Sequence, residues 1–446
     1  MQDSGRATTA SGLADGSASA DLRALLVDSF RAAVAAADPL RVLAAHLPPP
    51  SEISRYRRTL VVGAGKAAAS MAMAVERHWP AGAPLEGLVV TRYAHGLPCA
   101  RIRVVEAGHP VPDESGEQAA AQILAMAQAL GPDDLLLALV SGGGSSLLSL
   151  PVDEVPIADL KAVTRGLLAS GAPIQEMNVV RKHLSRIQGG RLAQQTRAQV
   201  LALVVSDVAG DDVSAIASGP CSPDPSTYRD AIDILARWHV AAPASVAAHL
   251  QRGAAGGVAE TPKPGDPLFD RVTHRMVATA HASLEAAAKV FSDAGIRPVL
   301  LGDTITGEAR DVAQVLGAIA REVAHHGQPF PRPVALISGG ECTVTLRGKG
   351  RGGRCSEFLL ALARELDGVQ DAWAVAADTD GIDGSEDNAG ALLCPDTLAR
   401  AARAGLDARR MLDDNDGYGF FAALGDLLST GPTRTNVNDY RAIVLR

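Results

Sequence analysis

Short apolar runs alternate with longer stretches of helical spacing along this chain. The runs at 59–62, 88–90, 135–140 and 200–205 are rich in Val and Leu and have the length of buried strands. The segment 101–106 alternates apolar with polar residues, as a further strand would. Between these runs, 22–36, 66–79 and 115–130 carry apolar positions at helical spacing, and Ser115 with Gln118 has capping-box spacing. A helical region over 155–197 is broken at Gly171-Ala172-Pro173. After a Gly- and Pro-rich stretch at 252–268 the alternation resumes, with strands at 333–337 and 373–377 and helices near 280–295, 355–366 and 397–407. Strands alternating with helices predict an α/β fold with a largely parallel sheet covered on both faces.

At 446 residues the chain is long enough for two or three domains. The pattern predicts a disordered tail over 1–20, an N-terminal unit over 21–251, a linker over 252–268 and a second α/β unit over 269–446. Aromatics make up only 3% of residues, so Leu, Val, Ile and Ala must fill the cores. The formal charge of −8, without a long basic block, gives no argument for a nucleic-acid surface, so no nucleic-acid partner is expected and local basic clusters are read as small-anion sites first. The five cysteines are scattered and never form a CxxC pair, which argues against a disulfide framework or structural zinc. Neither a secretory signal nor a membrane span is legible, so a soluble cytoplasmic protein, monomeric or homodimeric, is the expectation.

Two glycine turns follow strands in the first half. Gly63-Ala64-Gly65-Lys66 fits the G-x-G-x-x-A dinucleotide fingerprint with Ala68 last, and does not fit a Walker A loop. Lys66 at a helix start opposes the helix dipole unless an anion binds there; a solvated lysine on a tight turn is the plainer reading. Ser141-Gly142-Gly143-Gly144-Ser145-Ser146 places bare amides and two hydroxyls at a strand end, where open α/β sheets bind ligands. A flexible surface loop is the alternative. Arg181, Lys182, His183, Arg186 and Arg191 form a basic cluster that suits either an anion or a solvated face, and Arg181 or Arg191 is a candidate partner for a substrate carboxylate. Ser206-Asp207 follows the run 200–205, at a strand end where a carboxylate can accept a hydroxyl proton or hold magnesium.

In the second half, Gly339-Gly340-Glu341 ends a strand, and Arg347 to Arg354 interleaves four cations with four glycines, enough to wrap a multiply charged anion. Lys349, Arg351 and Gly353 are the candidate nucleotide contacts there, with Gly339, Gly340 and Glu341. Asp378, Asp380 and Asp383 close the next strand; neutralisation by magnesium or ordinary turn chemistry would relieve their repulsion, and Asp380 and Asp383 are the candidate metal ligands.

These segments, in this order, resemble the glycerate 2-kinase family with its C-terminal MOFRL domain. The resemblance rests on VVGAGKAAASMA, AGHPVPDESG, LVSGGGSSLL, MNVVRKHLSRIQGGRLA, VVSDVAGDDVSAIASGP, SGGECTVTLRGKGRGGR, ADTDGIDG and GPTRTNVND, and covers about 55–440. It implies a Rossmann-like N-terminal domain, a second α/β domain with the MOFRL region at about 330–440, and an active cleft between them. It also implies ATP- and magnesium-dependent phosphorylation of D-glycerate at its 2-hydroxyl, with Lys66, Asp207 and Arg354 lining the cleft. Gly63, Gly65 and the 141–146 turn are then the substrate- and phosphate-binding elements. Some members carry the name hydroxypyruvate reductase, so an NAD(P)H-dependent reductase is the second reading and a non-catalytic phospho-metabolite sensor the third. The chain departs from the family pattern at Cys355-Ser356 and at Arg434, where glycine is usual.

Overall fold

The computed structural model describes residues 11–446, with side-chain environments from residue 21. The part of the expected tail up to residue 10 lies outside the described residues. From Ser11 the backbone is already helical, as Ser11–Ala37. No helix among the described residues is long and apolar enough to cross a membrane.

The chain divides into two units, one comprising Ala37–Thr279 with Arg434–Val437 and the other Met1–Ala36, Ala280–Thr433 and Asn438–Arg446. The first unit holds the expected parallel sheet. Its strands are β1 (Thr59–Ala64), β2 (Glu86–Arg92), β3 (Ile102–Ala107), β4 (Leu135–Ser141), β5 (Gln199–Val205) and β6 (Val272–Ala278). They lie in the order β3-β2-β1-β4-β5-β6, and every pairing is parallel. β1 and β4 are completely buried, as expected of central strands covered by helices on both faces. The winding reverses between β1 and β4, so their C-terminal ends form the switch point where open α/β sheets take ligands.

The second unit is built on a mixed sheet. Its strands are β7 (Arg297–Gly302), β8 (Gly307–Glu308), β9 (Val334–Gly340), β10 (Cys342–Thr343), β11 (Ala372–Asp378), β12 (Gly390–Leu393), β13 (Leu427–Leu428) and β14 (Asp439–Leu445). The main sheet runs β13-β12-β11-β14-β9-β7; only β7 and β9 pair in parallel, and β8 pairs with β10 separately.

Two boundaries differ from the sequence reading. The stretch 252–268 does not connect the units, because the next strand, β6, joins β5 as the sixth strand of the first sheet. The crossing falls instead at Thr279–Ala280. The first helix does not belong to the N-terminal sheet either. Its Leu22, Leu26, Phe30 and Ala33 pack with Phe291, Ile337 and Val444 of the mixed-sheet unit, and Tyr440 donates its hydroxyl to Ser29 Oγ at 2.8 Å. Composition marks flexible stretches but not which apolar face a helix finds.

Candidate active site

At the switch point the two glycine turns have different fates. In the first, the amides are engaged by protein. Gly65 N donates to Val90 O (3.1 Å), Lys66 N to Gly142 O (2.8 Å), Ala67 N to Ser141 Oγ (3.1 Å) and Ala68 N to Gly65 O (3.1 Å). The glycines serve the close approach of β1 to β4. A Cβ on Gly63 would stand 2.1 Å from Leu139 O, and one on Gly65, at φ +139°, 2.0 Å from Ser141 Oγ. Ser141 is fully buried and supports the start of the helix Ala68–His78 rather than meeting a substrate. Gly63, Gly65 and Ser141 are therefore structural, contrary to the sequence reading. Lys66 precedes that helix by two residues instead of lying in its first turn.

The second turn is different. Among the described contacts, no protein acceptor takes the amides of Gly142, Gly143 or Gly144. Polar side chains crowd this backbone. A Cβ on Gly142 would stand 1.9 Å from Asp207 Oδ2 and 2.9 Å from Asn436 Nδ2. One on Gly143, at φ +78°, would stand 3.0 Å from the His109 ring and 3.4 Å from Lys66 Cγ. Glycine is required here for backbone conformation and for space. Asp207 is delivered by β5, whose register against β6 shifts at Val204/Val205, the irregularity that re-aims the chain end. Asn436 donates to Asp207 Oδ2 at 3.2 Å from the Arg434–Val437 segment, which returns to this unit late in the chain.

Behind the turn lies a strained support. Ala217, Ser218 and Gly219 have φ of +50°, +58° and +56°. The left-handed conformation costs a non-glycine residue about 1–2 kcal/mol. It brings Ser218 Oγ to 2.9 Å from Ser145 Oγ and 3.0 Å from Asn178 Oδ1, and Ala217 Cβ to 2.5 Å from where a Gly144 Cβ would be. Ser146 is buried and bonds Gly143 O at 3.2 Å. His183 is buried, with its ring nitrogens near Val179 O (2.8 Å) and Glu260 (3.2 Å), and burial pushes its pKa down. It is a satisfied structural histidine.

In the mixed-sheet unit the basic loop is also held by protein. Arg347 N and Gly348 N donate to Asn415 Oδ1, Lys349 N to Asp414 Oδ1, Gly350 N to Asp414 O and Arg351 N to Asp416 Oδ1. Gly348 and Gly350 fit because Asp414 and Asp416 occupy the space a Cβ would need. The side chains of Arg347, Lys349 and Arg351 remain exposed, and Arg351 stacks over Tyr418 at 4.4 Å. Arg351, Gly353, Val344 and Leu346 line a cleft of ≈ 540 Å³ in which Leu346 is 79% exposed.

Arg354 is not a free cation. Its Nε, Nη1 and Nη2 pair with Asp439 (2.7 Å), Glu341 (2.8 Å) and Asp378 (2.5 Å). Burial works against its charge, but the three carboxylates hold its pKa well above the ordinary value. Gly340, at φ +100°, is needed because Ile305 O would lie 2.3 Å from its Cβ, and Gly339 sits in β9 beside it. The expected metal pair does not fit. Asp383 accepts from Cys355 N (2.9 Å) and Ser356 N (2.8 Å) with its two oxygens, capping the helix Arg354–Glu365, and burial raises its pKa. Asp380 Oδ1 accepts from Ile382 N at 2.9 Å within its own turn. No group of three or more His, Cys, Asp or Glu suited to a metal occurs among the described residues.

A domain of unknown function, DUF4147, matches residues 25–251, and the MOFRL family matches 334–439. The glycerate 2-kinase of Pyrococcus horikoshii is 40% identical over 85% of this chain and 86% of its own, and the D-glycerate 2-kinase of Thermotoga maritima is 36% identical over 94% and 97%. The chain belongs to the glycerate 2-kinase family. The crystal structure of the Thermotoga maritima glycerate kinase matches this family member with a TM-score of 0.83 at 34% identity, covering 96% of this chain and 100% of the other. A protein of Agrobacterium vitis provisionally named hydroxypyruvate reductase is 50% identical over 95% of this chain and 94% of its own.

Both departures from the glycerate 2-kinase pattern have a structural setting. Arg434 adopts φ +60°, the conformation for which the family's usual glycine is suited, and its carbonyl accepts from Ser70 Oγ at 2.6 Å. Cys355 and Ser356 occupy the capped first turn of the helix Arg354–Glu365, where both amides donate to Asp383. Sequence reasoning singled out neither His109 nor Asn436. His109 follows the end of β3, a position that could have marked it; for Asn436 no local signal exists beyond the motif GPTRTNVND.

Proposed function

We propose that this protein transfers the γ-phosphoryl group of ATP to the 2-hydroxyl of D-glycerate, giving 2-phospho-D-glycerate and ADP. The observation that carries the reading is the convergence of Asp207 and Lys66 on the Gly142–Gly144 backbone, whose amides have no protein acceptor among the described contacts. Asp207 accepts the proton of the 2-hydroxyl as its oxygen attacks the γ-phosphorus. The bond to the β-phosphate oxygen breaks and ADP leaves. Lys66 offsets negative charge on the transferred group, and Asn436 orients the Asp207 carboxylate.

The cleft of the mixed-sheet unit is the proposed nucleotide site. The exposed side chains of Lys349 and Arg351 face the polyphosphate, and Leu346 offers an apolar surface to the base. Arg354 organises Glu341, Asp378 and Asp439 instead of meeting phosphate directly. Magnesium enters as part of the nucleotide substrate, since Asp380 and Asp383 do not form a fitting pair. A cytoplasmic setting, where ATP is available, suits the reaction.

The reductase reading has the name of the Agrobacterium vitis relative and the sheet order of dinucleotide-binding folds in its favour. Against it, the amides of the G-x-G-x-x-A turn are already bonded within the protein, so a pyrophosphate finds no donors there. Purified protein incubated with D-glycerate, ATP and magnesium should form phosphoglycerate, with phosphorus NMR placing the phosphate on the 2-oxygen. Hydroxypyruvate-dependent oxidation of NAD(P)H with no phosphoryl transfer would reverse the assignment.

A further inference from the structure

Two successive glycines of the active turn keep different company. Asp207 and Asn436 take the space beside Gly142, whereas His109 and Lys66 take the space beside Gly143. The imidazole is as close as the lysine: His109 Cδ2 and Nε2 would each stand 3.0 Å from a Gly143 Cβ, against 3.4 Å for Lys66 Cγ. One step along the turn therefore leads from a carboxylate to an ammonium and the edge of an imidazole. Asp207, Lys66 and His109 are all half-buried, so a ligand can reach them.

The loop that carries His109 is held by protein. Asp113 caps the helix Glu114–Gln128 by accepting from Gly116 N at 3.0 Å, and it takes the Tyr93 hydroxyl at 2.7 Å. A Cβ on Gly108 would stand 2.7 Å from Val111 O and 3.0 Å from Asp113 Oδ2, so the chain folds tightly back on itself around His109. The two arginines expected to meet a carboxylate are set otherwise. Arg181 Nη1 donates to Asn178 Oδ1 at 3.2 Å, and the side chain lines a cavity of ≈ 10 Å³, room for about one water and too small for a carboxylate. Arg191 donates to Lys182 O (2.5 Å) and Tyr228 Oη (3.3 Å) and lines a separate cavity of ≈ 260 Å³ with Gln128 and Gln194.

With Asp207 as the base, the 2-hydroxyl of the acceptor stands beside Gly142. Its carboxylate is carried by the neighbouring carbon, a separation of the same order as the roughly 3.8 Å between consecutive Cα atoms of the turn. The donors at that distance are the amides of Gly143 and Gly144, which no protein acceptor takes among the described contacts, and the His109 ring. We infer that His109 binds the carboxylate of the acceptor 2-hydroxy acid through Nε2–H, leaving Lys66 to the phosphoryl group, and that it sets the preference for acids over neutral acceptors. This rests on the kinase reading for the identity of the acid and the role of Asp207.

Titration calorimetry of D-glycerate into the full chain, without nucleotide, reads the contact directly in wild type, H109L, H109N and H109Q. Affinity should fall roughly 10–100-fold in H109L, the scale of one lost hydrogen bond to a charged group. H109N, whose amide stops short of the Nε2 position, should lose nearly as much, and H109Q, whose amide reaches it, should recover most of the affinity. In activity assays H109L should raise the KM for D-glycerate by the same factor, with kcat and the KM for ATP within about twofold, and should erode the preference for D-glycerate over neutral D-glyceramide equally. Wild-type glycerate affinity in H109L overturns the inference, as does affinity in H109Q no better than in H109L. A loss confined to kcat overturns it too, and would put the ring on the phosphoryl group beside Lys66. If circular dichroism finds H109L unfolded, H109N carries the test, and wild-type affinity there is equally fatal. His109-dependent binding without phosphorylation of D-glycerate would remove the kinase reading and leave this site standing. Phosphorylation with one glycerate KM in all four proteins would do the reverse.

Discussion

Asn436 Nδ2 lies 3.2 Å from Asp207 Oδ2, joining residues 229 positions apart in one hydrogen bond. The bond gives the proposed base a fixed direction against the Gly142 backbone. Asp207→Asn should lower kcat by roughly 10²–10⁴-fold, because asparagine cannot accept the hydroxyl proton. Asn436→Leu should lower it about 10–100-fold by loosening the orientation. The double substitution should be little worse than Asp207→Asn alone, since both act on one step. Steady-state kinetics on the four proteins tests this; additive losses would mean that Asn436 acts elsewhere.

Lys66→Ala should reduce phosphoryl transfer by roughly 10²–10³-fold, the scale of losing one preorganised electrostatic contact of about 3–4 kcal/mol. Its amide bond to Gly142 O survives the change, so the turn should persist. The melting temperature should therefore stay close to wild type while activity falls. Near-wild-type turnover at saturating substrates would take Lys66 out of the reaction.

Arg434→Gly should stabilise the protein by about 0.5–1 kcal/mol, because glycine reaches φ +60° without the Cβ penalty. The buried Nε of Arg434, which has no hydrogen-bond partner, is removed at the same time. Differential scanning calorimetry should record a small rise in the melting temperature. A fall would mean that the side chain's other contacts outweigh the backbone strain.

Asp224 and Lys182 form a buried pair at 3.3 Å. Burial pushes the Asp224 carboxyl up, but the Lys182 ammonium and the hydroxyls of Ser226 and Thr261 win and hold its pKa below the ordinary value. A carboxyl depressed on folding stabilises the protein above its unfolded pKa of about 3.9, and that contribution is lost as pH falls through the lower folded value. Asp224→Asn should cost about 3–5 kcal/mol at pH 7, because Lys182 is left buried without its partner. The variant should also lose less stability than wild type on acidification below about pH 4. Thermal melts across pH 2–7 compare the two slopes; parallel curves would contradict the assignment.

The first sheet was legible because strands buried on both faces must be apolar along their whole length. The runs at 59–62, 88–90, 135–140 and 200–205 fall within β1, β2, β4 and β5. β6 escaped notice because VTHRMVA is only partly buried and polar at several positions, so its pattern is weak. The glycine turns were visible, but the sequence treated them alike. Which turn keeps its amides available depends on the neighbouring strand: Val90, Ser141 and Gly142 engage the first, and no acceptor among the described contacts takes the amides of Gly142, Gly143 or Gly144 in the second.

By itself the sequence determined the α/β alternation, the strand-end positions of Lys66, the 142–146 turn and Asp207, and the family. Those follow from local composition and period, which act within a few residues. Only the tertiary structure decided the rest. It placed the first helix with the mixed sheet, brought Asn436 to Asp207, and separated Arg181 from Arg191. It also surrounded Arg354 with three carboxylates and gave Asp383 to a helix cap. A charged group's role depends on which opposite charges and amides the fold brings within about 3 Å of it, and that proximity is set by chain returns of tens to hundreds of residues that no local pattern encodes.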